Sequence, residues 1–214
     1  MNEELLRDAE QFAREVFRKD YGGHDFSHTL RVTRMAGRLA REEGAEEHIC
    51  RLAALLHDVD DYKLSPETSE GCLRAVGFLR EHGVDEDTIG RVCDIIGSVA
   101  YLGTDSVVPA TPEGKCVQDA DRLDALGAIG TARAFAYGGS HGREMYDPDQ
   151  PPLPDMDAAA YRARISTTLN HFYEKLFLLR GMMNTESAKR IAAERDTFMR
   201  AFVREFLEEW EGRR

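Results

Sequence analysis

LAALLHDVDDYK, running from Leu52 to Lys63, is the stretch on which the fold turns. Leu52, Ala53, Leu55 and Leu56 are the residues of a buried helix, and this apolar run stops at an adjacent His57-Asp58 pair, with Asp60 and Asp61 close behind. Burying a charge is costly unless it is paired or binds a metal. A histidine and a carboxylate at the end of a buried helix therefore need a partner, and a divalent metal ion suits both. Successive helical residues point about 100° apart. His57 and Asp58 can share one ion only where the helix ends and the backbone turns.

Helical periodicity continues on both sides of this stretch, and strand signals are nearly absent. Upstream, Glu4 to Lys19 places Leu5, Ala9, Phe12, Val16 and Phe17 on one face, and Tyr21-Gly22-Gly23 ends that helix. Ser27 is expected to cap a second helix that runs to Glu43 and stops at Gly44. The third, Glu46 to Asp58, carries the His-Asp pair. Downstream, Ser65-Pro66 opens a fourth helix to His82, and Asp85 begins a fifth to Tyr101.

Residues 102–113 read as a loop, followed by a sixth helix from Lys115 to Tyr137 that contains Asp121. Glycine inside a helix costs about 1 kcal/mol against alanine, so Gly127 and Gly130 within it predict close helix packing. The segment 138–157, GGSHGREMYDPDQPPLPDMD, is the longest irregular one and a candidate lid or active-site loop. Two long helices, 158–181 and 185–211, close the chain, the last capped by Asn184 or Thr185. On it, Phe198, Phe202, Phe206 and Trp210 form an aromatic stripe read as intramolecular core. The fold class is all-α, a helical bundle with two long C-terminal helices. At 214 residues the chain suits a single domain, with its core at 20–137 and a C-terminal helical extension at 158–211.

Composition narrows the function. With 39 acids against 28 lysines and arginines the formal net charge is -11, which does not suit tracking a nucleic-acid backbone. It leaves room for a small phosphorylated substrate, whose charge a metal and one or two local bases can balance. Cys50, Cys72, Cys93 and Cys116 form no CxxC and read as small core residues in a reducing compartment. The acidic, amphipathic start MNEELLRDAEQFAREVF is unlike a signal peptide, and no apolar run is long enough to span a bilayer. A cytoplasmic protein is expected.

Two familiar motifs are excluded. No GxxxxGKS loop is present, so phosphate is not held by a P-loop. His24 and His28 in HDFSH have the spacing of an HExxH zinc-protease helix. The required glutamate is an aspartate, however, and Gly22-Gly23 starts the helix after His24.

The order of motifs, HDFSHTLRV, then LAALLHDVDD, then DADRLDALGAIG, resembles the HD-domain phosphohydrolase superfamily, and QDADRLDALGAIGTARAF and the C-terminal NHFYEKLFLLRGMMNTESAKRIAAERDTFMRAFVREFLEEW extend the likeness over most of the chain. The resemblance implies a metal held by His28, His57, Asp58 and Asp121. Asp119 and Asp124 compete with Asp121 on the same short segment, and the family's Ala-Asp-Arg-Leu core favours Asp121. Family members with two metals supply extra histidines after the His-Asp pair. Here His82 is the only histidine between Val59 and Ala120, which points to one divalent ion, Mn²⁺ or Mg²⁺ first, with Fe, Co, Ni or Zn as alternatives.

The resemblance further implies a nucleotide substrate, with a (deoxy)nucleoside triphosphate cleaved to monophosphate and pyrophosphate as the first expectation. A nucleoside 5′-monophosphatase and a catalytically quiet nucleotide-binding module are the alternatives. Asp58 and Asp61 are the candidate bases, Lys63 and Arg122 the candidate phosphate anchors, and His24 a candidate at the substrate edge. No nucleic-acid polymer or membrane partner is expected, and the chain is read as a monomer or homodimer.

Overall fold

The computed structural model describes residues 3–18, 25–60 and 71–214. Every regular element among them is helical. The chain divides into two compact units, residues 1–101 with 107–121 and residues 102–106 with 122–214.

The first unit is built around α3 (Glu47–Leu56), against which α1 (Glu3–Val16), α2 (Phe26–Glu43) and α5 (Glu86–Val99) pack. Leu52, Ala53, Ala54, Leu55 and Leu56 are all 2% exposed or less. A helix that is apolar on every side can be stable only with neighbours on every side, and that places the end of α3 deep inside the unit. Val32, Ala36, Leu39 and Ala40 of α2 and Leu6, Ala9 and Ala13 of α1 complete the core, and Phe12 stacks on Phe78 of α4 (Leu73–Glu81) at 4.9 Å. The cap of α2 is Asp25, not Ser27: its carboxylate accepts the His28 N–H at 2.7 Å. Asp85 caps α5 in the same way through Thr88. The expected start of α4 at Ser65-Pro66 lies outside the described residues.

The expected sixth helix is two helices. α6 (Pro112–Asp124) ends at the turn before Gly127, whose φ of 73° is left-handed, and α7 (Gly127–Ser140) begins there. A Cβ on Gly130 would lie 2.1 Å from the Ala125 carbonyl oxygen, where the turn folds back on α7, and one on Gly127 would lie 3.0 Å from Arg195 Cγ of the C-terminal helix, so close helix packing is found at Gly127 and a tight turn at Gly130.

In the second unit, α7 packs on α11 (Glu186–Trp210), which Thr185 caps. The predicted helix 158–181 is interrupted. α8 (Ala158–Ala163) stops, and Thr167 caps a new start at α9 (Thr168–His171). A π-helical turn (Phe172–Leu176), α10 (Phe177–Leu179) and a 3₁₀ turn (Arg180–Met182) then follow.

The aromatic stripe of α11 is core in its middle. Phe202 and Phe206 pack on Phe135, while Phe198 and Trp210 stay 47% and 46% exposed. Steps of four residues advance about 40° around a helix, so the two ends of such a row leave the buried face.

Residues 144–153 are fastened along their length. The Glu144 and Met145 carbonyls accept the Thr168 and Leu169 N–H groups, both at 2.9 Å, and buried Glu174 accepts the Leu153 N–H at 3.1 Å. Glu174 also binds Arg164 and Ser166. None of the described helices is long and apolar enough to cross a membrane.

Candidate metal centre

Three segments of the first unit deliver their side chains to one place. α3 stops at Leu56, and His57 to Asp60 form a turn, so neighbouring side chains that a helix would splay apart can converge. His28 stands in the first turn of α2, positioned by the Asp25 cap on its own N–H, and is 1% exposed. Asp121 comes from α6. One turn earlier on that helix, buried Gln118 donates through Nε2 to the carbonyls of Ser98 (2.7 Å) and Val107 (2.9 Å), which fixes α6 against the end of α5.

The donor atoms of His28, His57 and Asp58 all lie within 4.8 Å of one another. His28 Nε2 is 3.5 Å from Asp58 Oδ2 and 3.4 Å from Asp121 Oδ1. His57 Nε2 is 3.1 Å and 3.9 Å from the same two oxygens. Ligands about 2.1 Å from a common ion stand roughly 3.0–3.4 Å apart; three of these spacings, 3.1–3.5 Å, are close to that range, and the 3.9 Å between His57 and Asp121 is longer. His57 Nε2 is buried and makes no hydrogen bond of acceptable geometry among the described residues, despite the nearby carboxylate. A buried nitrogen facing a carboxylate without a well-formed hydrogen bond suits a metal ligand. Two imidazoles and two carboxylates suit borderline or hard divalent ions.

The electrostatics follow the same pattern. Burial alone would lower the His57 pKa, but the Asp58 carboxylate, with help from Asp121, outweighs it and the net shift is upward. Burial pushes the Asp121 carboxyl up, and His28 and His57 more than reverse this, so the net shift is downward. Each sign of charge in the cluster stabilises the other.

Of the two acids competing with Asp121, Asp124 forms a 2.7 Å ion pair with Arg133 in the second unit, and Asp119 is fully buried. Arg122 is buried in the second unit, where its guanidinium donates to the Met182 carbonyl. His24, Asp61 and Lys63 lie outside the described residues. Asp60 is 7% exposed and its two oxygens accept the backbone N–H groups of Arg74 and Ala75, each at 3.1 Å, fastening the start of α4 to the turn after α3. Gln118 and Asp60 are the positioning residues that the sequence reading did not single out. Their partners are 11 to 20 residues away, beyond the reach of local pattern.

The cysteines are free thiols. Cys50 and Cys116 are buried beside one another, and Cys72 and Cys93 are half-buried neighbours. Burial, reinforced by Cys93, pushes the Cys72 thiol up to about 12, which keeps it inert at neutral pH.

This arrangement has counterparts. The HD-domain family model matches residues 25–126, a span that contains all four donors. YpgQ of Bacillus subtilis is 36% identical over 205 residues, covering 94% of this chain and 92% of its own. A crystal structure of a Lactobacillus plantarum protein has a TM-score of 0.88 at 38% identity, over 99% of both chains. An HD-superfamily hydrolase from Bacillus thuringiensis gives 0.77 at 42% identity, over 98% of both. The structure of YpgQ in complex with ADP gives 0.75 at 32% identity, covering 95% of this chain and 96% of that one. The chain belongs to the HD-domain superfamily.

Proposed function

We propose that the chain is a metal-dependent phosphohydrolase that cleaves a nucleotide, with a (deoxy)nucleoside triphosphate giving monophosphate and pyrophosphate as the leading reaction. The observation that carries this reading is the cluster of His28, His57 and Asp58, whose donor atoms lie within 4.8 Å of one another, with an Asp121 oxygen 3.4 Å from His28 Nε2. A divalent cation bound there supplies acidified water and takes up charge on a phosphoryl oxygen. The chain's own groups do the rest. Asp58 and Asp61 accept the proton of the attacking water. Lys63 offers positive charge to the phosphates as a mobile point charge. His24 is a further candidate contact to the substrate. The nucleotide is supported by the ADP complex of YpgQ, a relative over nearly the whole chain.

A nucleoside 5′-monophosphatase uses the same site chemistry and is distinguished by its product. The test is a panel of nucleoside mono-, di- and triphosphates with added Mn²⁺, with products identified for wild type and Asp58→Ala. Pyrophosphate from a triphosphate, lost in Asp58→Ala, is the expected result. Orthophosphate from a monophosphate would select the alternative. Equal turnover by both proteins would remove the site from the reaction, and no turnover by either would leave a quiet binding module.

A further inference from the structure

In the second unit, two arginines from different segments close on one buried carboxylate. Asp196 of α11 is 1% exposed, and its Oδ2 accepts from Arg180 Nη1 and from Arg200 Nε, each at 2.9 Å. Arg180 comes from the 3₁₀ turn that precedes α11, and Arg200 stands one turn after Asp196 on α11 itself. The Arg200 guanidinium also lies 4.2 Å from the ring centre of Phe177 in α10, which steadies it against an aromatic face. Tyr173 packs edge-on against that ring from the other segment, with centres 5.3 Å apart. The shared oxygen thus holds two guanidiniums side by side.

This is more positive charge than Asp196 needs. One arginine meeting a carboxylate fork to fork satisfies both oxygens with two parallel bonds. Here each arginine gives a single nitrogen to the same oxygen, and the buried Oδ1 has no hydrogen-bond partner. One positive charge is left over, and the other nitrogens of both guanidiniums are left without a carboxylate. The two side chains are 53% and 54% exposed, so a solute can reach them. Among the described residues neither arginine has a second acidic partner. Like charges fixed this close repel each other, and a bound anion would relieve the repulsion.

We propose that Arg180 and Arg200 form a phosphate-binding site of the second unit. The planar fork of a guanidinium matches two phosphate oxygens, and two neighbouring forks match a doubly charged phosphate group. A free phosphate ion and the phosphate of a nucleotide share this chemistry. Both arginines belong to one unit and neither is a candidate metal ligand, so the site stands or falls apart from hydrolysis at the metal centre.

An NMR titration of the full-length protein tests this. The arginine Nε–Hε signals are followed as inorganic phosphate or AMP is added to wild type, Asp58→Ala, Arg180→Gln and Arg200→Gln. The Arg180 and Arg200 signals are expected to shift and saturate alike in wild type and Asp58→Ala. In each glutamine variant the remaining arginine is the reporter, and it is expected to saturate at about tenfold higher ligand, the loss of a charge-assisted hydrogen bond. Movement by both ligands marks a site for the phosphate group itself, and movement by one alone names its source; either supports the assignment. Each variant keeps one arginine on Asp196, and circular dichroism checks that it is folded. A lysine at the same position, which keeps the charge without the fork, replaces a glutamine variant that is not, and it too is expected to bind more weakly. Arginine signals that stay still in wild type, variants that saturate together with wild type, or shifts lost in Asp58→Ala would each overturn the site.

Discussion

His57 donates its Nδ1 proton to the carbonyl of Ala54, 2.8 Å away and one turn back in α3. A carbonyl can only accept, so this bond fixes the tautomer and leaves the lone pair on Nε2, the atom that faces His28, Asp58 and Asp121. The helix that buries the pair therefore also aims it.

Adjacent acids in the turn after α3 have different jobs, and substitution separates them. Asp60→Ala removes both acceptors of the Arg74 and Ala75 N–H groups and is expected to cost about 2 kcal/mol in urea unfolding. It still binds Mn²⁺. Asp58→Ala is expected to weaken Mn²⁺ by about 100-fold or more, an effect at least as large as that of removing a group that merely supports a ligand. Equal metal loss in both variants would contradict the division.

α7 offers a matched glycine pair. A Cβ at Gly130 would strike the Ala125 carbonyl, whereas one at Gly139 meets nothing within 4 Å. Gly130→Ala is expected to destabilise by about 1–3 kcal/mol through overpacking. Gly139→Ala should stabilise by roughly 0.5–1 kcal/mol through the lower entropy of its unfolded chain. Thermal unfolding of the two variants checks the signs.

Much of this was legible because its causes are local. The all-round apolar last turns of α3, the His-Asp pair at its end and the left-handed stop at Gly44 each follow from a few neighbouring residues. The cap of α2 was displaced by two positions because Asp25 and Ser27 are equally good cap residues, and only the folded backbone chooses between them. The break between α8 and α9 was hidden. The periodicity runs through it, and it is held by Ser166 bonding to Glu174, eight residues on, and by Thr167 bonding to Gln150, 17 residues back. Asp60 was opaque for the same reason.

His171 gives a pH dependence with a defined sign. Burial, then the charges of Lys175 and Arg143, push its pKa down to about 3, against an unfolded value of about 6.5. The folded imidazole is thus neutral where the unfolded one takes up a proton. Its contribution to stability is whole above pH 6.5 and is lost as pH falls from there towards 3. His171→Gln is expected to flatten the acid limb of the stability profile between about pH 6 and 4. An unfolding series across that range, with an NMR titration of the ring, reads both effects. A ring titrating near 6.5 would contradict the assignment.

The most direct test of the central claim is anomalous diffraction from a crystal grown with Mn²⁺. The account predicts one strong peak about 2.2 Å from His28 Nε2, His57 Nε2 and a carboxylate oxygen of each of Asp58 and Asp121. No peak among these four side chains, or a Mn²⁺ bound at other residues instead, would contradict it.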